Sequence, residues 1–180
     1  MESDTIRFFE VIRQEKTMTD EERRAFLSRF KEAPERENSL LGLTVTGGLF
    51  SEAIDLKGDA LIGVAVVGTG LPQVSMEREL VRLYFERTGQ NGFDYAYRFP
   101  GFTKVQQAVG RLIRTSSDEG VALLMDERFL YRENLKLFPR EWTEYEVTDE
   151  KRLSGAIRSF WEERSEKRET IEETEERDDD

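Results

Sequence analysis

Gln107, Arg111 and Arg114 stand in the run Gln107-Ala108-Val109-Gly110-Arg111-Leu112-Ile113-Arg114. On a helix their spacing of i, i+4, i+7 places them on one face, with Val105, Ala108, Val109 and Leu112 supplying an apolar face. Arginine keeps its charge at all accessible pH, and its planar fork fits phosphate oxygens. A glutamine and two arginines on a core-packed helix therefore read as a receptor for an anion. A solvated basic face is the plainer alternative. The opposing apolar face, and a lysine-poor stripe in a chain of net charge −11, argue against it.

A second cluster is Gly47-Gly48-Leu49-Phe50-Ser51-Glu52-Ala53-Ile54-Asp55-Leu56, directly after a predicted strand. The carboxyl ends of strands are where open α/β sheets bind ligands. Paired glycines let the backbone approach a ligand and expose amide donors. Ser51, Glu52 and Asp55 then gather a hydroxyl and two carboxylates; the same residues also suit an ordinary polar turn. A third run, Val121-Ala122-Leu123-Leu124-Met125-Asp126-Glu127, mimics a metal-holding strand end. No Gly-x-x-x-x-Gly-Lys-Ser/Thr loop precedes it, and no Gly-Lys pair occurs in the chain. Asp126 and Glu127 are accordingly read as structural, and no metal ligands are assigned.

Composition narrows the chemistry further. The 180 residues include no cysteine and no histidine. Thiolate zinc sites, cysteine nucleophiles, iron–sulfur clusters and serine–histidine catalysis are excluded for this chain. The acidic balance, concentrated from Glu162 onward, argues against coating nucleic acid through a general positive field. The longest apolar run, near 61–67, is far shorter than the roughly 20 residues of a membrane span. The N-terminus lacks the basic and apolar regions of a signal peptide, so a cytoplasmic protein is expected.

The elements that must position these clusters alternate. Residues 4–14, with Ile6, Phe9, Val11 and Ile12, suggest a short amphipathic helix. Thr19 and Glu22 form a capping-box signature before a helix burying Phe26, Leu27 and Phe30. Strands are expected at 41–46, 61–67 and 121–125, the last two apolar almost throughout, as in a sheet covered on both faces. Helices are expected at 74–87 and 104–114. Residues 88–101, with three glycines and one proline among aromatics, read as a long structured loop. A final helix at 148–161 would bury Leu153, Ile157, Phe160 and Trp161, and beyond it the acidic tail is expected to fray or stay disordered. This alternation predicts an α/β layer fold with a mostly parallel sheet. The expected organisation is N-terminal helices over 1–40, a lobe over 41–147, and a helix with acidic tail over 148–180.

The blocks occur in an order that resembles motifs V and VI of superfamily 2 helicases, specifically the XPD/DinG-like ATP-dependent DNA helicases. The resemblance is carried by Phe50-Ser51-Glu52-Ala53-Ile54-Asp55-Leu56, Val67-Gly68-Thr69-Gly70-Leu71-Pro72 and Tyr95-Ala96-Tyr97. It continues through Pro100-Gly101, the 107–114 run, Leu124-Met125-Asp126-Glu127-Arg128-Phe129 and Leu137-Phe138-Pro139-Arg140-Glu141-Trp142. Ala53 departs from the family, which has glycine there. The resemblance implies a second RecA-like lobe, the C-terminal half of the motor. Arg111 and Arg114 would be its arginine fingers, and Gln107 would approach the nucleotide. Glu52 and Asp55 would link nucleotide state to the DNA track, while Thr46, Gly47, Gly48, Phe50 and Ser51 would lie toward single-stranded DNA. It further implies ATP with Mg²⁺, bound mainly by a phosphate-loop lobe in cis or in trans. A non-catalytic DNA-contacting or protein-interaction module is the alternative.

Overall fold

In a computed structural model, residues 9–32, 39–46, 60–113, 115 and 118–178 are described. They divide into two compact units, Met1–Phe138 and Pro139–Asp180.

The first described element is a strand, β1 (Phe9–Arg13), where the apolar spacing had predicted a helix. It pairs in parallel with β2 (Ser39–Leu43), in register from Phe9↔Ser39 to Arg13↔Leu43. Val11 and Ile12 are β-branched, and five residues are too few for a stable isolated helix; the partner strand decides the outcome. The crossover is α1 (Asp20–Lys31), which starts at the expected capping box. The Glu22 amide donates to Thr19 Oγ1 at 3.2 Å, and the Thr19 amide donates to the Glu22 carboxylate at 2.7 Å. Donation from the Thr19 amide, and from its hydroxyl at 3.0 Å, holds the Glu22 carboxyl below its usual range. Phe26 and Phe30 are buried beneath it among Ile12, Met18, Leu27, Leu40, Ala60 and Leu61. Gly42 leaves room in β2 for the Phe30 ring. Arg29 of α1 ion-pairs with Glu10 of β1.

Two further strands, β3 (Gly63–Val67) and β4 (Val121–Met125), form a second parallel pair in register from Gly63↔Val121 to Val67↔Met125. Their crossover is helical over most of its length. It contains α2 (Met76–Arg87), capped by Ser75, and then a π-helical segment, Asp94–Arg98, that runs into α3 (Phe99–Val109). The loop expected at 88–101 is thus mostly helix. Pro100 falls where the π-helical segment passes into α3. Gly92 has no Cβ to strike the Arg82 carbonyl. Aromatic packing then holds the segment: Phe85 of α2 stacks on Tyr95 at 3.8 Å, and the Tyr97 hydroxyl donates to Glu79 at 2.6 Å.

Phe102, Val105 and Val109 of α3 are buried at i, i+3, i+7, with Val105 wholly enclosed. Val66, Ala96, Tyr97, Leu112 and Phe129 complete this core. After β4 come a 3₁₀ turn (Glu127–Leu130) and one turn of helix, α4 (Arg132–Leu135).

The second unit contains a 3₁₀ turn (Arg140–Trp142) and α5 (Glu150–Asp178). The Asp149 carboxylate accepts from the amides of Lys151 and Arg152, both at 3.1 Å, and so caps α5. The helix runs 29 residues, well past the 161 expected. Its later part is rich in Glu, Arg and Lys, which are good helix formers. No helix among the described residues is long and apolar enough to cross a membrane.

Candidate nucleotide and nucleic-acid site

Gln107 and Arg111 are brought to one end of α3, by different means. Gln107 lies on the last turn of the helix with its side chain in solvent. Its neighbour Gln106 turns inward, and the Gln106 side-chain amide donates to the Leu137 carbonyl at 2.8 Å. The first glutamine is therefore a structural clamp and the second is available to a ligand. The sequence doublet gives no sign of this division.

The continuous helix expected over 104–114 stops at Val109, with Gly110 as its cap. Glycine destabilises a helix interior and commonly ends one. The chain then tightens: the Arg111 amide donates to the Ala108 carbonyl at 3.3 Å and the Leu112 amide to the Val109 carbonyl at 2.9 Å. Arg111 is half-buried in this turn and Leu112 is 4% exposed. The single helical stripe through 107, 111 and 114 is thus corrected to a helix end plus an anchored turn. Arg114 lies outside the described residues, as do Gly47, Gly48, Phe50, Ser51, Glu52 and Asp55. Thr46 is exposed, three residues beyond the carboxyl end of β2 at Leu43.

The carboxyl ends of β3 and β4 carry a second group of polar residues. Gly68 and Gly70 flank the buried Thr69 after β3. After β4, Asp126 accepts from the Arg128 amide at 2.9 Å, from Nε at 2.8 Å and from Nη2 at 2.6 Å. The Arg128 hydrogen bonds hold the Asp126 carboxyl down at about 2. This carboxylate is engaged by a cation within its own turn. The Arg128 carbonyl in turn accepts from the buried Asn134 side chain at 2.7 Å. Asp126 was visible in the sequence, whereas its partner two residues on went unread. No group of three or more acidic side chains among the described residues is placed to hold a metal ion.

An α/β lobe with parallel strand pairs joined by helical crossovers is consistent with a RecA-like fold. The chain belongs to the helicase C-terminal domain family, whose model matches residues 2–145, and it is an XPD/DinG-like helicase C-terminal region. It is 31% identical over 108 residues to a probable ATP-dependent helicase of Methanocaldococcus jannaschii, covering 55% of this chain and 17% of that protein. It is 37% identical over 87 residues to the ATP-dependent DNA helicase DinG of Photobacterium profundum, covering 47% and 12%. The Fanconi anemia group J protein homolog of Gallus gallus is 27% identical over 147 residues, covering 78% and 12%. A solved XPD helicase superposes with a TM-score of 0.51 at 22% identity, covering 71% of this chain and 23% of that one, and supports the fold. The chain spans between 12% and 17% of the length of these curated relatives.

Proposed function

We propose that this lobe supplies the arginine-bearing half of an ATP-driven single-strand DNA motor, completed by a phosphate-loop RecA-like lobe in cis or in trans. The observation that carries the reading is the pairing of an exposed Gln107 with the anchored Arg111 turn at one end of α3, inside the family match. Arg111 and Arg114 neutralise charge that develops on the transferred γ-phosphoryl group. Gln107 contacts the nucleotide. Glu52 and Asp55 couple nucleotide state to the DNA track, along which Thr46, Gly47, Gly48, Phe50 and Ser51 meet the strand.

The residues on this side suit phosphate anions better than a cation, since Asp126 is already engaged by Arg128. Mg²⁺ would accordingly be held by the partner lobe, where it would offset phosphate charge. The 180-residue chain by itself does not turn over ATP, because arginine fingers only complete a site that another lobe builds.

The test is DNA-stimulated ATPase kinetics with a phosphate-loop lobe of the same family supplied. Arg111→Ala should lower kcat by two or more orders of magnitude with a modest change in ATP affinity, as loss of a transition-state contact requires; fingers are worth about 10³–10⁵ in rate. Arg111→Lys should rescue poorly, since a point charge lacks the planar fork. Parental turnover in Arg111→Ala would move the non-catalytic module reading ahead.

A further inference from the structure

We infer that Arg78, Glu79 and Tyr97 are positioning residues for the nucleotide contact at Gln107. Together they hold the π-helical segment whose register decides which residue of α3 stands in that place. This rests on the function proposed above and deepens it, by naming what sets the position of one of its ligand groups.

The segment Asp94–Arg98 stands directly before α3, and the Phe99 amide closes it by donating to the Asp94 carbonyl, five residues back. Tightened to an α turn, the segment would turn everything after it by about 100°, the step of a single residue. Each place on α3 would then pass to the preceding residue. The enclosed place of Val105 would fall to Lys104, and the exposed place of Gln107 to Gln106. Burying an unpaired ammonium is costly, so the core beneath α3 favours the π register.

From the other side, α2 grips the segment with polar groups. Arg78 Nη1 donates to the Ala96 carbonyl at 2.9 Å, and the Tyr97 hydroxyl donates to Glu79 Oε1 at 2.6 Å. Ala96 is 1% and Tyr97 5% exposed, so each bond fastens a residue that the core already encloses. Arg82 Nε donates to the other Glu79 oxygen at 2.9 Å and steadies that carboxylate. The Tyr97 hydroxyl holds the Glu79 carboxyl below its usual range, and Glu79 in turn pushes the Tyr97 hydroxyl up. Inside the segment, Asp94 pairs with Arg98 and the Phe93 ring stacks on Tyr97. Both are i, i+4 contacts that an α turn would also offer, so they do not choose the register. The bonds from two successive residues of α2 do. Tyr97 lies ten residues before Gln107, about 15 Å along a helix, so a rotation at the segment is carried to the glutamine. Arg111 stands in a turn that Leu112 also packs against Gly120, and should follow that rotation less.

The experiment is ATPase kinetics on the reconstituted motor, the full chain with a saturating phosphate-loop lobe, together with binding of a fluorescent ATP analogue. Tyr97→Phe and Arg78→Met each keep most of the packed bulk, and each should raise KM for ATP about three- to tenfold with kcat changed less than about twofold. Glu79→Ala should do the same. Glu79→Gln, whose amide oxygen still accepts from Tyr97, should stay within about twofold of the parent. The decisive comparison is with Gln107→Ala: adding Tyr97→Phe to it should raise KM no more than about twofold further, because the group being positioned is gone. Parental ATP affinity in Tyr97→Phe and Arg78→Met, with Gln107→Ala impaired, overturns the inference and leaves the proposed function standing. A fall in kcat at unchanged KM assigns the network to stability alone and also overturns it, as do effects that multiply in the double variant. Parental affinity in Gln107→Ala overturns this inference together with the nucleotide contact on which it rests.

Discussion

Replacing Gly70 with alanine tests whether the loop after β3 is moulded onto the first turn of α3. Gly70 has φ of 68°, in the left-handed region, where a side chain costs about 1–2 kcal/mol. A Cβ there would lie 2.6 Å from the Gly101 carbonyl oxygen and 3.4 Å from Val105 Cγ2. The first neighbour is helix backbone and the second belongs to a wholly buried side chain, so neither can swing aside. Overpacking of this kind adds roughly 1–3 kcal/mol, for a total of about 2–5 kcal/mol. In a domain of this size that corresponds to a fall in Tm of roughly 5–20 °C. Gly89 supplies the control: its φ is 79°, and nothing lies within 4 Å of an added Cβ. Gly89→Ala should therefore show the dihedral cost alone, a fall of roughly 2–8 °C. Thermal and urea unfolding followed by far-UV circular dichroism measures both variants. Equal melting temperatures for the two would refute the argument, because the loop and α3 would then have room to part. A displaced α3 also carries Gln107 with it, so Gly70→Ala should depress the reconstituted ATPase more than Gly89→Ala does.

The Asp126–Arg128 pair predicts a pH signature. The Asp126 carboxyl sits at about 2, below its ordinary 3.8. Its contribution is therefore present above the ordinary value and is lost as pH falls from about 4 through about 2. The Arg128 side chain is 43% exposed, so solvent screening reduces the contribution to about 1 kcal/mol. Asp126→Asn should be less stable than the parent by that amount near neutrality, with the gap closing toward pH 2; a gap constant with pH would assign the effect to packing instead. The glutamine doublet gives another comparison. Gln106→Leu should cost about 1–2 kcal/mol, because the Leu137 carbonyl loses its donor, whereas Gln107→Ala should stay within about 0.5 kcal/mol as an exposed substitution. Identical urea midpoints for the two variants would contradict the assignment of one glutamine to the fold and the other to the ligand.

What could be read in advance follows the range of the interactions involved. The capping box at Thr19 and Glu22 is a contact three residues long, and it stands where the sequence placed it. The strands at Gly63–Val67 and Val121–Met125 were legible because burial on both faces leaves a continuous apolar run. β1 was misread because its spacing is compatible with helix and strand alike; β2, some thirty residues later, settles the matter through pairing. The segment 88–101 was misread for the opposite reason. Its glycines and proline are local signs of a loop, yet only Gly89 keeps a turn, while Gly92 and Gly101 are answered by tertiary contacts and Pro100 falls where the π-helical segment passes into α3. Charge pairs at short range were visible only in part: Asp126 was noticed, but its bidentate engagement by Arg128 depends on the turn that Asp126 itself caps.

Gly110 is the place where a local signal, given full weight, would have changed the picture of the site. A glycine at the end of an apolar-periodic run is a stop signal, and the helix does stop there. Arg111 is consequently not positioned by the register of α3. Its neighbour Leu112 is buried, and a Cβ on Gly120 would come within 2.5 Å of Leu112 Cδ1 and 2.9 Å of the Ile62 carbonyl oxygen. The turn carrying Arg111 is therefore held on two sides, by its amide bonds back to Ala108 and Val109 of α3 and by Leu112 against the residues just before β3 and β4. Gln107 rests on α3 itself. A change that tilts α3 should then displace Gln107 more than Arg111, and affinity for nucleotide and rate of hydrolysis should respond to it unequally.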